Sequence, residues 1–466
     1  MTQKYSTFLP ILFLLLPWPA FSNELATAVD LTNHWVGYLC LLLFILAYTL
    51  VILEEKLELK KSKPVLLAAG LIWIFIAASQ LNTGHDHLVE QAIRHNLLEY
   101  AELFFFLLVA MAYINAIAER GVFDALRDWL IYRGFSYLQL FWLTGIMSFF
   151  LSPVADNLTT SLIMCAVVMA VGSSHKKFIG LSCINIVVAA NAGGAFSPFG
   201  DITTLMVWQK GMVPFEHFIK LFIPSLVNFL VPAAIMSFAI TREKPYSKSA
   251  NNTIIKAGGI KIVFLFLATI ITAVCFHSVL DLPPVFGMMF GLGYLKIYSY
   301  FLNRQIHHHF HESGLINESD DDYDKFDVFN NIARAEWDTL FFFYGVILCV
   351  GGLGFIGYLA HASEFFYGNF GATYANIFVG LISAIIDNIP VMFAVLTMNP
   401  DMPELQWLLV TLTAGVGGSL LSIGSAAGVA LMGQARGNYT FFMHLKWTPV
   451  IALGYVASIA AHFLIN

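Results

Sequence analysis

Apolar residues run through this chain in continuous stretches of about 17–24 residues, separated by short charged segments. That length suits α-helices crossing a bilayer and not the ten-residue alternating strands of a membrane barrel. The pattern predicts eight plain spans, at 34–53, 64–82, 97–119, 218–241, 260–278, 284–303, 338–360 and 441–464. Two further regions, 136–211 and 373–433, are equally apolar, but each is interrupted twice by Gly, Pro, Asp and Asn.

Charge placement suggests how those interrupted regions are threaded. Suppose 136–172 and 373–399 are re-entrant hairpins entering from opposite faces, and 178–210 and 405–433 are single crossings with unwound middles. Nineteen Lys and Arg then fall on one side, among them Lys61, Arg120, Lys176, Lys177, Arg242 and Arg334. Only Arg94, Lys210 and Lys220 fall on the other. By the positive-inside rule the crowded side is cytoplasmic. A full crossing at 136–172 would move Arg242 to Lys261 outside and spoil the segregation.

Three motifs recur in order. Leu103-Phe104-Phe105-Phe106 returns as Leu340-Phe341-Phe342-Phe343, and Ser152 to Asn157 returns as Ser383 to Asn388. Gly193-Gly194 with Gly200 returns as Gly417-Gly418 with Gly424, the three offsets being 237, 231 and 224. An odd number of crossings separates the two Asp-Asn motifs, so the second copy is inverted. The expected fold is an all-α polytopic membrane protein of two inverted repeats, 31–245 and 246–466, each with a re-entrant hairpin and an unwound transmembrane helix. This is the architecture of secondary transporters.

Composition narrows the class further. The chain is 58% hydrophobic and 12% charged, with mean hydropathy +0.74, where soluble domains carry about 25% charged residues. A soluble enzyme, a disordered chain and a nucleic-acid binder are excluded. The net charge of −6 is spread over loops and indicates no partner. The five cysteines lie in apolar runs without a CxxC pair and read as small core residues. Residues 1–30, with Lys4, an apolar run from Phe8 to Leu16 and Ala20-Phe21-Ser22, read as a signal peptide or an uncleaved first helix. The segment 304–337 reads as a cytoplasmic loop. In it His307, His308, His309 and His311 precede Asp320, Asp321, Asp322 and Asp324, which fits a solvated linker, a pH sensor or a metal site.

The chemistry lies in the four breaks, Ser152–Asn157, Asn191–Asp201, Ser383–Pro390 and Gly415–Ser425. Unwound backbone is tolerated in a bilayer only where it is buried in protein or lines a polar cavity. Such backbone offers free carbonyls and Asn, Ser and Thr oxygens, the ligands hard cations take. Asp156, Asp201 and Asp387 sit in the breaks, and Glu102 lies in the third span. A charge at mid-membrane costs about 2.5–3.5 kcal/mol on the insertion scale, so each is a functional candidate. Clustered carboxylates that take a proton when sodium leaves would couple the two ions by competition for one site. The rival reading is capping: Asp156, Asp201 and Asp387 each precede a helix whose free N–H groups need acceptors, and Glu102 could make a structural hydrogen bond.

At these residues the chain resembles the NhaD-type sodium/proton antiporters of the ion transporter superfamily. The stretches carrying the resemblance are 152–160, 191–204 and 383–390, with a less sharp fourth at 415–428. The resemblance implies exchange of sodium, or lithium, for protons at alkaline pH across a bacterial inner membrane, with no cofactor. It implies roles for Asp156, Asn157, Asn191, Asp201, Thr203 and Thr204 in the first half, and for Ser383, Asp387, Asn388, Ser422 and Ser425 in the second. Glu102 matches a family acid. Spans such as 34–119 and 260–360 would form the scaffold of a homodimer around a mobile transport domain.

Two rivals remain. A permease of the same superfamily for an oxyanion, arsenite or a dicarboxylate would want helix N-termini without extra acids, whereas both tips here carry Asp. An intramembrane aspartyl protease would pair Asp156 with Asp201, but Pro198 interrupts the Gly-x-Gly-Asp pattern, and a protease has no use for Asp387.

Overall fold

The computed structural model describes residues 29–81, 86–172, 175–244, 254–312 and 325–466. The leader expected at 1–30 falls almost wholly outside them, as does the acidic run after the histidines. Among the described residues every regular element is helical, and ten helices are long and apolar enough to cross a membrane.

The principal helices are α1 Trp35–Ile52, α2 Ser62–Gln80, α3 Asp86–Glu119, α4 Val122–Tyr132, α5 Tyr137–Ala155, α6 Asn157–Val171, α7 Lys176–Ala195, α8 Ile202–Gln209 and α9 Phe222–Ser237. After them come α10 Gly259–Leu280, α11 Pro284–Glu312, α12 Val328–Ala333, α13 Trp337–Phe355, α14 Asn369–Ser383, α15 Asn388–Met398, α16 Glu404–Gly417, α17 Ala426–Gln434 and α18 Phe441–Ile465. Both interrupted regions are broken where Gly, Asp and Asn predict: between α5 and α6, α7 and α8, α14 and α15, and α16 and α17.

The path through the first breaks is fixed by side-chain contacts. The Tyr137 ring packs 4.6 Å from that of Phe178 at the starts of α5 and α7. Midway, Asn185 Nδ2 donates to the Phe141 carbonyl at 2.9 Å. At the far end Ser152 Oγ donates to the Ala190 carbonyl at 2.7 Å. The two helices therefore run side by side in the same direction. His175, just before α7, lies 4.8 Å from Tyr137, so α6 returns the chain to where α5 began. The reversal is at Asp156, whose φ of 56° is unusual for a residue with a Cβ.

The second half holds corresponding contacts. Thr413 Oγ1 donates to the Asn376 carbonyl at 2.8 Å and Ser383 Oγ to the Ala414 carbonyl at 2.7 Å, which aligns α14 with α16. The Ser383–Ala414 bond joins residues at the same offsets, 231 and 224, from Ser152 and Ala190 that the sequence motifs show. The glycines repeat too. A Cβ on Gly193 would strike the Phe149 carbonyl, and one on Gly417 would strike that of Gly380. Only glycine lets the paired backbones approach this closely.

Helix α7 is the centre of the molecule, buried at every position from Phe178 to Ala195. Around the outside, α1 and α10 expose large apolar side chains such as Leu42, Ile45, Phe264 and Ile271, as a lipid-facing surface requires. Between them α2 and α13 pack through small residues: Cβ positions on Gly345 and Gly352 would meet Val65 and Ile72. Trp73 Nε1 donates to the Leu348 carbonyl at 2.9 Å.

Several elements differ from the sequence expectation. Helix α3 starts at Asp86, well before residue 97. Its first turns are carried by buried Val89, Ala92 and Asn96 and by a 2.8 Å Arg94–Glu90 ion pair. The short helix α4 is amphipathic, with Phe123, Leu126 and Leu130 inward and Arg127 paired with Asp124 at 2.8 Å; it is too short and too charged to register as a span. The segment expected to be a loop from 304 onward continues as helix to Glu312. The returning chain is then tied to α11, because Asn303 Nδ2 donates to the Phe326 carbonyl and Asn303 Oδ1 accepts from the Phe326 amide, at 2.9 and 2.8 Å. Cys275 is exposed on α10, whereas the other four cysteines are buried.

Candidate functional site

The four breaks meet around one carboxylate. Asp201 is the N-cap of α8, its Oδ1 accepting from the Thr203 amide at 3.0 Å. Its side chain is buried, and it receives amides from both halves. Asn388 Nδ2 lies 3.1 Å from Oδ2 and 3.4 Å from Oδ1, and Asn157 Nδ2 lies 3.5 Å from Oδ2. Asn157 and Asn388 are the equivalent residues of the two motif copies, each the first residue of a half-helix, α6 and α15. A helix start carries partial positive charge, so three such ends favour an anionic side chain here.

A second layer holds the amides. Asn157 Nδ2 also donates to Asn191 Oδ1 at 3.1 Å. Asn191 Nδ2 donates to Ser419 Oγ at 2.9 Å and to Ser425 Oγ at 3.0 Å. Asn191 comes from α7 and the two serines from the break after α16, so the network spans both halves. Ser425 stands at the offset of 224 from Asp201. The two motif copies thus share these contacts but carry a carboxylate at only one of the two corresponding positions.

Other expected site residues are put to different uses. Asp156 caps α6: its Oδ1 accepts from the Thr159 amide and its Oδ2 from the Thr159 hydroxyl, both at 2.8 Å. It lines the same cavity as Asp201. Asp387 turns toward Lys61, 3.6 Å away. Ser383 and Thr204 bind the carbonyls of Ala414 and Ala195, and Ser422 donates to Met432 Sδ. Glu102 lies in a separate cavity with His95, Glu99, Gln209 and Lys210, at the far end of α8 from Asp201. Asp156 and Asp201 thus line one cavity, Asp387 is directed to Lys61, and Glu102 lies in another cavity. Among the described residues no three His, Cys, Asp or Glu side chains come together as a metal-binding group. Asp156 is held by the helix it begins and Asp387 by Lys61, and only Asp201 accepts from the asparagines.

The cavity containing Asp156, Asn157, Asp201 and Asn388 has a volume of about 270 Å³. Its walls reach Lys61, Asn115, Arg334 and Glu336, all at helix ends that charge placement assigns to the cytoplasm. On the other side Phe199 packs against Phe106 and Trp208, with ring centroids 5.4 and 5.8 Å apart. Trp208 packs at a tilt against Phe215 and edge-on against His277. A carboxylate with rotatable amide and hydroxyl groups around it offers the oxygen donors a small hard cation takes, since asparagine can present either its N–H or its oxygen.

Two residues of this region are not among the expected ligands. Ser419 lies in the break the sequence marks, but nothing distinguishes it there from Ser422. Lys61 enters the sequence argument only as a charge on the cytoplasmic side. His444 also has a definite role. It is fully buried, with Nε2 2.8 Å from the Ser419 carbonyl and Nδ1 2.7 Å from the Tyr439 hydroxyl. A carbonyl only accepts, so Nε2 carries the proton and Nδ1 accepts from Tyr439.

The citrate transporter family model, CitMHS, matches residues 48–415. The chain is 58% identical over 465 residues to the Na(+)/H(+) antiporter NhaD of Alkalimonas amylolytica, covering 98% of this chain and 96% of that protein. It is 56% identical to the Na(+)/H(+) antiporter NhaD of Vibrio cholerae, covering 98% and 97%. Sodium/proton antiporter 1 of Arabidopsis thaliana is 32% identical over 91% of this chain and 72% of its own length.

Proposed function

Since this chain belongs to the citrate transporter family and, within it, to the NhaD-type Na+/H+ antiporters, we propose that Asp201 is the group at which its sodium and proton alternate. The protein is a multi-pass bacterial membrane transporter, not an enzyme, and it exchanges Na+ for H+. The observation that carries the site assignment is the donation of Asn157 and Asn388, one from each half, to the single buried carboxylate of Asp201.

In the arrangement observed the amides solvate the carboxylate. As a sodium ion arrives, rotation of Asn157 and Asn388 turns their oxygens toward it, and the ionised Asp201 supplies the charge. When sodium leaves toward the side of higher proton activity, a proton takes its place and neutralises the group. One carboxylate serving both ions makes their binding mutually exclusive, and that exclusion is the coupling. Asp156 supports the site by holding the turn into α6. An anionic cargo is disfavoured at a buried carboxylate, which sets aside the oxyanion and dicarboxylate readings.

The architecture proposed around this site is a pair of inverted repeats, 31–245 and 246–466. In it α5–α6 and α14–α15 are re-entrant hairpins, and α7–α8 and α16–α17 are unwound crossings. The equivalent serine–carbonyl bonds and the equivalent glycine contacts support it. The cavity walls at Lys61, Arg334 and Glu336 support an inward-facing state. The exposed apolar faces of α1 and α10 support a scaffold that meets lipid or a second copy.

The test is dye-reported proton movement in everted vesicles, with Na+, Li+, K+ and Ca2+ added in turn. Asp201→Asn should assemble normally and show no sodium-driven proton movement. Normal exchange in that variant would remove Asp201 from the mechanism.

A further inference from the structure

Lys61 is an unusual residue to find beside this site. It immediately precedes α2, yet its side chain is only 16% exposed and that of its partner Asp387 only 15%. The two charges are 3.6 Å apart, and the lysine ammonium also sits 4.5 Å above the ring of Phe342 on α13. The carboxylate is held on one side alone. Its Oδ2 faces the lysine, while Oδ1 is buried and meets no hydrogen-bond donor among the described residues. Asp387 is the residue before Asn388, whose amide is on Asp201, and Lys61 lines the cavity that contains Asp201.

A half-bonded carboxylate one residue from the exchange site would otherwise add a second negative charge to it. Buried charge is stable only when compensated, and here the compensation comes from a different part of the chain. Lys61 and Phe342 belong to the elements around α2 and α13, whereas Asp387 belongs to the break between α14 and α15. The lysine is neutral to the cargo's chemistry but carries the same charge as the cargo.

We propose that Lys61 is a tethered counter-cation that competes with transported sodium for Asp387, and so sets the sodium affinity of the exchange site. With sodium absent, the ammonium occupies Asp387 and turns it from Asp201. When sodium binds, the ammonium is displaced and both carboxylates face the ion; when the lysine returns, it helps expel the ion into the cavity. This proposal rests on the reading of Asp201 as the exchange group.

The experiment measures half-saturating sodium and maximal rate separately, in everted vesicles at fixed pH. Lys61→Gln should lower half-saturating sodium about tenfold, the scale expected for removing one charge a few ångströms from a partly hydrated site. It should also slow the maximal rate, because release loses its competitor. In the Asp387→Asn background the same substitution should change half-saturating sodium less than about twofold, since the shared partner is gone. Lys61→Arg, whose planar fork can hold a carboxylate through two bonds, should raise half-saturating sodium above the wild-type value. An unchanged value in Lys61→Gln, or an equal shift with Asp387 already removed, would overturn the proposal. Should Lys61→Gln not assemble, the arginine variant decides alone, and a half-saturating value at or below wild type overturns it. Asp201→Asn, run in parallel, separates these outcomes from failure of the exchange site itself, because it reads loss of all exchange and not a shift in affinity.

Discussion

Truncating Asn388 to alanine removes the side-chain amide closest to Asp201 and leaves the helix it begins intact. That amide lies 3.1 Å from one carboxylate oxygen and 3.4 Å from the other. A hydrogen bond to a charged group contributes about 1.5–3 kcal/mol, and about 1.4 kcal/mol is a factor of ten in affinity. The same truncation removes an oxygen the ion would use. The lost donor belongs to the sodium-free site and its loss alone would favour sodium, whereas the lost oxygen belongs to the occupied site, where it meets a bare cation. Half-saturating sodium in Asn388→Ala should rise about tenfold at constant pH, the loss of the oxygen outweighing that of the donor. Asn157 is farther from the carboxylate, at 3.5 Å, and shares its amide with Asn191. A contact of that length is weak, so Asn157→Ala should cost less than Asn388→Ala. The assay is sodium-dependent dequenching of a pH dye in everted vesicles over a sodium series, on variants shown by size-exclusion chromatography to assemble like the wild type. Half-saturating sodium within twofold of wild type for Asn388→Ala would refute the reasoning, as would a larger loss in Asn157→Ala.

Asp156→Asn should keep a substantial part of exchange, because the asparagine oxygen can accept the capping bond from the Thr159 amide while its Nδ2 donates to the Thr159 hydroxyl; complete loss with normal assembly would show that its charge is needed. Ser152→Ala and Ser383→Ala each remove one buried bond to a carbonyl, at a cost of about 1–3 kcal/mol for the acceptor left behind. Their melting temperatures in detergent should fall by similar amounts, and a large fall in one alone would break the equivalence of the two halves. Lys177→Cys in a cysteine-free background should resist an impermeant reagent added outside whole cells, and labelling there would invert the assigned orientation. Replacing His307, His308, His309 and His311 with Ala should leave maximal sodium-dependent transport largely intact, checked in the same vesicles; its abolition in an assembled protein would place that segment in the pathway.

The helical class, the apolar core of each span and the residues at which four segments break are legible in the sequence. Length and apolarity of a span, and the placement of Gly, Asp and Asn, are local properties, and lipid leaves the backbone few alternatives. The recurrence of Ser152 to Asn157 as Ser383 to Asn388 was legible for the same reason, and both serines make the bond their equivalence implies. Which of the acids would face the others was not legible. Asp156, Asp201 and Asp387 look alike along the chain, yet one caps a helix through Thr159, one collects amides from both halves, and one is drawn to a lysine more than 300 residues away in sequence. Helix boundaries outside the membrane were also set by tertiary contacts: α3 gains its first turns by burying Val89 and Ala92, and the chain after α11 returns because Asn303 binds the backbone of Phe326. Burial, pairing and side-chain direction at the site depend on which breaks meet in space, and a linear pattern does not specify that meeting.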